Sequence, residues 1–322
     1  MEGSASPAIP DLQLISQSAL EPAGRDAERI ATMFWWMVGG GALVWLAVMG
    51  ITFYAVRARG ERHNPRRARA FIIGGGALVP TLVLAVLLTW GLGQMPALLD
   101  KGPDDGLRIH VSAEQWWWRV RYELADGTEF ELANEIRLPI ERRTPVWLHS
   151  ADVIHSFWVP SLAGKLDMIP GRVNRMALEP TREGVFRGVC AEYCGSSHAN
   201  MMFDAVVQTP NDFEAWARAQ ALPASPPQSD AARRGERLFE LHGCGACHTV
   251  RGTPAGGAVG PDLTHVGSRL RLGAGVLPND MEGFQTWLAR TQEQKPDVHM
   301  PSFHMLSSTD LRALASYLEG LQ

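Results

Sequence analysis

The sequence predicts a membrane-anchored multidomain chain: two transmembrane helices, then an all-β unit, then a small all-α unit. Three observations predict it. Two long uncharged segments lie near the N-terminus, short alternating runs separated by turn residues follow, and apolar stripes at helical spacing close the chain. The 322 residues leave room for about two folded units beyond the anchors. With 46% hydrophobic and 20% charged residues, a disordered or collagen-like chain is excluded. A net charge of −4 argues against a nucleic-acid partner. Four cysteines are too few for a disulfide scaffold.

Met33 to Val56 and Ala70 to Met95 run for 24 and 26 residues without a charge. As helices they reach roughly 36–39 Å, enough to cross a ~30 Å hydrocarbon core. Gly39–Gly41, Gly74–Gly76 and Pro80 are tolerated in lipid, where small residues let a neighbouring helix approach closely. Packing against another membrane protein is expected. The loop from Arg57 to Arg69 carries six arginines against Glu61 alone, whereas the arm from Met1 to Thr32 has two arginines and five acids. The positive-inside rule puts that loop in the cytoplasm. Both termini, and everything after about residue 96, are then extracytoplasmic. No charged segment followed by an apolar one opens the chain, so either the first span serves as insertion signal or a leader has been removed.

From about Leu107 to Gln208 the pattern is that of strands. Trp116–Leu124 and Glu129–Ala133 flank Ala125-Asp126-Gly127-Thr128, whose Asp-Gly pair signals a hairpin. Glu135–Leu138, Pro145–His149, Val173–Glu179, Val185–Val189 and Met202–Gln208 are further strand-like runs, together reading as a β-sandwich or small barrel. A helix begins at Pro210, with Thr209 as N-cap and Asp212 placed for a capping box. Pro223 to Ser229 has the composition of a short flexible linker. Asp230–Leu241 then forms a helix stopped at Gly243. A last helix from about Ser308 puts Leu311, Leu314, Ala315, Leu318 and Leu321 on one stripe. The expected organisation is an arm (1–32), a helical hairpin (33–95), the β domain (96–222), the linker (223–229) and the α domain (230–322).

All four cysteines fall in two motifs. Cys190-Ala-Glu192-Tyr-Cys194-Gly-Ser-Ser-His198-Ala-Asn-Met201 gathers two thiolates, an imidazole and a thioether within twelve residues. Soft sulfur with imidazole selects copper, zinc or iron–sulfur clusters. Two cysteines are too few for a cluster, and the thioether favours copper over zinc. A second imidazole is available at His155, in Asp152-Val-Ile-His155-Ser-Phe-Trp-Val-Pro160, and a pair of thiolates suits two bridged coppers. The competing reading is a Cys190–Cys194 disulfide, which its short loop would strain. The second motif, Cys244-Gly-Ala-Cys247-His248, is the c-type haem attachment sequence, with a CxxC redox pair or half a zinc site as the alternative. Two thioether links would hold the porphyrin and His248 would ligate the iron. A distal methionine is expected. Met300 is favoured, with Met305, Met281, His299 and His304 as rivals.

Residues ~20–220 resemble subunit II of cytochrome c oxidases, and residues ~230–322 resemble a class I cytochrome c. The resemblance rests on Cys-x-Glu-x-Cys-x-x-x-His-x-x-Met, the upstream Asp152–Pro160 segment, Gln115-Trp116-Trp117-Trp118 and the two spans. It implies a cupredoxin fold holding a binuclear CuA centre through His155, Cys190, Cys194, His198, Met201 and the Glu192 carbonyl. It further implies a Mg²⁺ reached by the Glu192 carboxylate at the border with oxidase subunit I, and electron input through Trp116. Trp116 could otherwise be a strand residue packed under a sheet. Pro261 would face the histidine side of the haem, with Gly235 and Phe239 at a helix crossing. The Glu that many members carry near the start of the second span is absent, since that stretch reads Arg66-Arg-Ala-Arg-Ala-Phe-Ile-Ile.

The implied function is that of an electron-transfer subunit of a terminal respiratory oxidase. Electrons would pass from the covalent haem, or from an external cytochrome c, through CuA to the haem–copper site of subunit I for O2 reduction, in a complex expected to include subunit III. A linker this short raises the local donor concentration to the order of millimolar. The β domain has 18 acids and 13 bases, which suits a basic cytochrome partner. Two other readings stay open: the CuA subunit of a nitric oxide reductase, and a membrane-anchored copper-delivery protein, for which alternating strands and helices are expected.

Overall fold

The computed structural model describes residues 17–58, 64–104 and 106–322. Residues 1–16 of the arm, and Arg59, Glu61 and Arg62 of the basic loop, lie outside them. The chain divides into a unit of residues 29–100 and a unit holding the rest.

The first unit is most of α1 (Arg25–Arg57), then α2 (Pro65–Ile73) and α3 (Val79–Leu98), the last two joined by a π-helical turn over Gly74–Leu78. Asn64 caps α2 by accepting from the Arg66 N–H, and Pro65 takes the first helical position. The wider π turn falls where three glycines offer no side chain to crowd it. Trp36, Leu43, Trp45, Val86 and Leu88 are all exposed, as side chains that meet lipid must be.

In the second unit, ten strands form the β domain: β1 (Arg108–Glu114), β2 (Trp117–Glu123), β3 (Glu129–Ala133), β4 (Glu135–Pro139), β5 (Thr144–Ser150), β6 (His155–Trp158), β7 (Leu166–Met168), β8 (Asn174–Leu178), β9 (Gly184–Cys190) and β10 (Met202–Gln208). They make two five-stranded sheets, ordered β3-β2-β1-β5-β8 and β4-β10-β9-β6-β7. The β1–β5 and β4–β10 pairs are parallel and the rest antiparallel. Asp126-Gly127 turns the β2–β3 hairpin, with Gly127 at φ 82. Ile109, Val111, Trp118, Val120, Leu148, Phe157 and Phe203 are buried in one core. Three strands went unread in the sequence. β1 hides its period behind His110 and Ser112, while β6 and β7 are too short to show one.

Helix α4 (Pro210–Ala221) starts as expected, the Thr209 hydroxyl accepting from the Asp212 N–H. The α domain is α5 (Asp230–Leu241), α6 (Met281–Gln294) and α7 (Ser308–Glu319), with a two-residue ladder between β11 (Arg271–Leu272) and β12 (Leu277–Pro278). Gly243, at φ 69, ends the turn after α5. Where α5 crosses α7, a Cβ on Gly235 would lie 2.0 Å from the Ala313 carbonyl oxygen, so only glycine admits the approach. Phe239 meets Tyr317 edge-on beside it. Helix α6, unread in the sequence, buries Phe284 and Leu288 in the same core.

Residues 223–228 form no helix or strand. The chain there is nevertheless held, in contrast to the flexible tether expected. Ala224 N–H donates to the Arg251 carbonyl, and the Arg251 guanidinium donates to the carbonyls of Gln220 and Ala221 at the end of α4. The two domains also meet directly. Leu270 N–H donates to the Glu135 carboxylate at 3.0 Å, Arg119 donates to the Ala258 carbonyl at 2.9 Å, and Met202 N–H to the Ala274 carbonyl at 3.1 Å.

Candidate functional site

Backbone ladders assemble the sulfur cluster. β9 and β10 are antiparallel neighbours, and Cys190 N–H donates to the Met201 carbonyl at 3.0 Å, so the ends of the Cys190–Met201 loop are pinned together. β6 flanks β9, with Phe157 opposite Cys190, and this brings His155 alongside. The result is compact. Cys190 Sγ lies 3.8 Å from Cys194 Sγ, 3.8 Å from His155 Nδ1 and 3.2 Å from the Glu192 carbonyl oxygen. Cys194 Sγ lies 3.5 Å from His198 Nδ1 and 3.8 Å from Met201 Sδ. Both cysteines are free, and their separation is far beyond the ~2.05 Å of a disulfide. Every predicted copper ligand is thus present in one place.

The surroundings suit a soft metal. His155, Cys190, Cys194 and Met201 are buried, and Trp118 packs on both His155 and Phe157. The Asp152 carboxylate accepts from His155 Nε2 at 2.8 Å, which fixes the tautomer and leaves Nδ1 with its lone pair toward the sulfurs. The Cys194 thiol donating to the Cys190 sulfur holds the Cys190 pKa far below the usual thiol range. The charge so formed pushes Cys194 up. Two thiolates side by side are therefore a strained pair until cations bridge them, and the donor set fits two coppers. The Glu192 side chain is exposed.

In the α domain, Cys244–Ala246 is a short 3₁₀ turn leading into Cys247 and His248. His248 Nδ1 donates to the Pro261 carbonyl at 2.8 Å, leaving Nε2 as the available nitrogen, and burial pushes the His248 pKa down, toward the neutral ring. A Cβ on Gly260 would sit 2.5 Å from that ring. A cavity of about 460 Å³ is lined by Cys244, Cys247, His248, Pro261, Arg269 and Met300. Among the described residues Arg269 Nε has no hydrogen-bond partner, and from the cavity wall it can donate to an acidic substituent. Haem c therefore fits the residues present. Of the candidate distal groups, Met300 and His299 line the cavity, whereas Met305, Met281 and His304 do not. Met300 packs on the domain core while His299 is exposed.

Trp116 sits in the two-residue turn between β1 and β2, not in a strand. It is buried, its indole N–H donates to the Cys194 carbonyl at 2.9 Å, and its ring lines the same cavity as His248 and Met300. Gln115 reinforces it: its side-chain amide donates to the same carbonyl at 2.7 Å, and its backbone N–H donates to Asp152 at 2.6 Å. Sequence reasoning missed Asp152, Gln115 and Lys295. Lys295 is buried between the domains, donating to the carbonyls of Trp116 and Gly273, and burial pushes its ammonium down to about 7. Asp152 and Gln115 stood inside the quoted motifs without a role assigned to them, whereas no motif marked Lys295.

Known proteins similar to this chain fall in two descriptions. The family description "Cytochrome C oxidase subunit II, periplasmic domain" matches residues 122–209, and "Cytochrome c" matches residues 232–322. The chain is 33% identical over 320 residues to cytochrome c oxidase subunit 2 of Alkalihalophilus pseudofirmus, covering 95% of this chain and 91% of the relative. It is 29% identical over 331 residues to cytochrome c oxidase subunit 2 of Bacillus subtilis, covering 95% and 92%. The crystal structure of the periplasmic domain of subunit II of cytochrome oxidase from Bradyrhizobium japonicum aligns at 30% identity over 37% of this chain and 95% of that one, with a TM-score of 0.34.

Proposed function

This chain belongs to the cytochrome c oxidase subunit II family, as a membrane-anchored subunit of an oxidoreductase complex with a copper domain and a haem domain; from that premise we propose that it passes electrons from its own covalent haem through a binuclear copper centre to oxidase subunit I, where O2 is reduced. When bound, the haem iron and the copper pair each accept and release one electron. Cys244 and Cys247 would carry the porphyrin, with His248 and Met300 as axial ligands. His155, Cys190, Cys194, His198, Met201 and the Glu192 carbonyl would hold the coppers. The exposed Glu192 carboxylate is free to meet Mg²⁺ at the subunit I border. Subunit III and an external cytochrome c are the further expected partners, and the arginine-rich loop supports a periplasmic position for both metal domains.

One observation carries the proposal: Trp116 lines the haem-domain cavity and is hydrogen-bonded to the carbonyl of a predicted copper ligand. The chain's residues then have separable tasks. Asp152 holds the His155 tautomer, Trp118 and Phe157 keep water from the sulfurs, and Pro261 orients His248 while burial favours its neutral ring. Copper and haem analysis of the purified complex, with its optical and EPR spectra, tests the reading. Two coppers in a mixed-valence centre and one c-type haem per chain, with consumption of O2 in preference to nitric oxide, are expected. One copper that transfers to an apo-protein would refute it.

A further inference from the structure

The loop that carries Met300 is held from both sides. On the haem side, the Gln292 amide donates to the carbonyls of Val298 and Met300, and Phe303 N–H donates to the Leu288 carbonyl at 2.8 Å. On the copper side, Lys295 Nζ donates to the carbonyl of Trp116, and the Ser197 hydroxyl donates to the Pro296 carbonyl at 2.6 Å. Val298 packs against the copper-domain core. Lys295 is 2% exposed and Ser197 is 0% exposed, so water cannot replace either contact. The ammonium meets two backbone carbonyls and no carboxylate among the described residues. While the domains stay in contact, these carbonyls are what satisfies the buried ammonium, so removing either contact without exposing the site is costly.

We infer that the copper domain sets the position of the Met300 loop, with Lys295 and Ser197 as the positioning residues, so that the potential of the haem depends on contact between the domains. This rests on the proposed role of Met300. Ser197 is adjacent to His198, and Trp116 is bonded to the Cys194 carbonyl, so the two pins grip the copper site's own loop and its nearest tryptophan. Met300 lies five residues beyond Lys295, close enough for loss of a pin to loosen the thioether. A weaker thioether–iron bond lowers the potential, because the methionine with histidine is what raises it.

The test uses the intact complex with Lys295→Met, Lys295→Arg, Ser197→Ala and Met300→Ala. Each pin is a buried hydrogen bond that methionine or alanine cannot make. Lys295→Met is therefore expected to weaken the methionine–ferric charge-transfer band and to shift the haem's redox equilibrium about tenfold toward the oxidised form, about 59 mV for one electron. Lys295→Arg restores part of both, and Ser197→Ala gives a smaller shift in the same direction. Copper content stays at wild type in the Lys295 variants. A band and midpoint unchanged in both Lys295→Met and Ser197→Ala overturn the inference while leaving the proposed function intact, provided Met300→Ala abolishes the band. A band that survives Met300→Ala overturns the ligand assignment, and the inference with it.

Discussion

The indole N–H of Trp116 donates to the backbone carbonyl of Cys194 at 2.9 Å, placing a side chain of the haem-domain cavity one hydrogen bond from a cysteine of the sulfur cluster. Gln115 donates to the same oxygen. Two donors on one carbonyl draw density from the peptide that carries the sulfur, and both donors come from the turn that Lys295 grips.

Trp116→Phe keeps an aromatic ring and deletes the donor. Gln115 still satisfies the Cys194 carbonyl, so no acceptor is stranded, and the cost in stability is about 0.5–1.5 kcal/mol. Haem and copper contents are expected to remain at wild type while oxidation of the haem by the copper centre slows. Stopped-flow or flash-induced oxidation of the haem measures this. A rate equal to wild type would remove Trp116 from the route.

Asp152→Asn tests the orientation of His155. The variant preserves shape, but its amide no longer offers a charged acceptor to His155 Nε2, nor the same acceptor to Gln115 N–H. Loss of such a partner weakens metal binding by about 10–100-fold. Chelator competition, read by the copper centre's absorption, reports it. Haem content is expected to be unaffected, since Asp152 ligates nothing in the α domain.

Much of this architecture was readable in advance because its chemistry is local in sequence. The Cys190–Met201 and Cys244–His248 motifs, the Asp126-Gly127 hairpin and the Thr209 cap each lie within about a dozen residues, where spacing alone dictates geometry. Helix α5 announced itself by its stop at Gly243 and α7 by its apolar stripe. What stayed hidden depends on residues that meet only after folding. Lys295 reads as a surface lysine until it is placed 179 residues from its Trp116 acceptor. Glu135 reads as an exposed strand acid until Leu270 docks on it. Helix α6 was unread because MEGFQTWLARTQEQ carries few apolar residues, and the ones that matter find their partners in α7.

Gly235→Ala addresses the α5–α7 crossing. The added methyl would meet Ala313 backbone oxygen at 2.0 Å, and a backbone atom cannot rotate aside. The helices must separate, at a cost of about 1–3 kcal/mol for overpacking. Thermal unfolding followed at the haem absorption is expected to shift down, with the copper centre's own transition unchanged.

Asp204 on β10 gives a pH dependence. Its carboxylate is buried beside Arg187 and Arg271, each 3.5 Å away, and desolvation outweighs Arg187 to raise its pKa to about 7. In the unfolded chain the group has the ordinary value of 3.8. Between about pH 4 and pH 7 the folded protein keeps a proton that the unfolded chain has released, so stability falls as pH rises through that window and is level above it. Asp204→Asn cannot ionise and lacks the effect. Denaturant titrations across that range are expected to show wild type losing stability relative to Asp204→Asn as pH approaches 7. Parallel curves for the two proteins would mean that Arg187 and Arg271 keep Asp204 ionised in the folded state, with the ion pairs prevailing over burial.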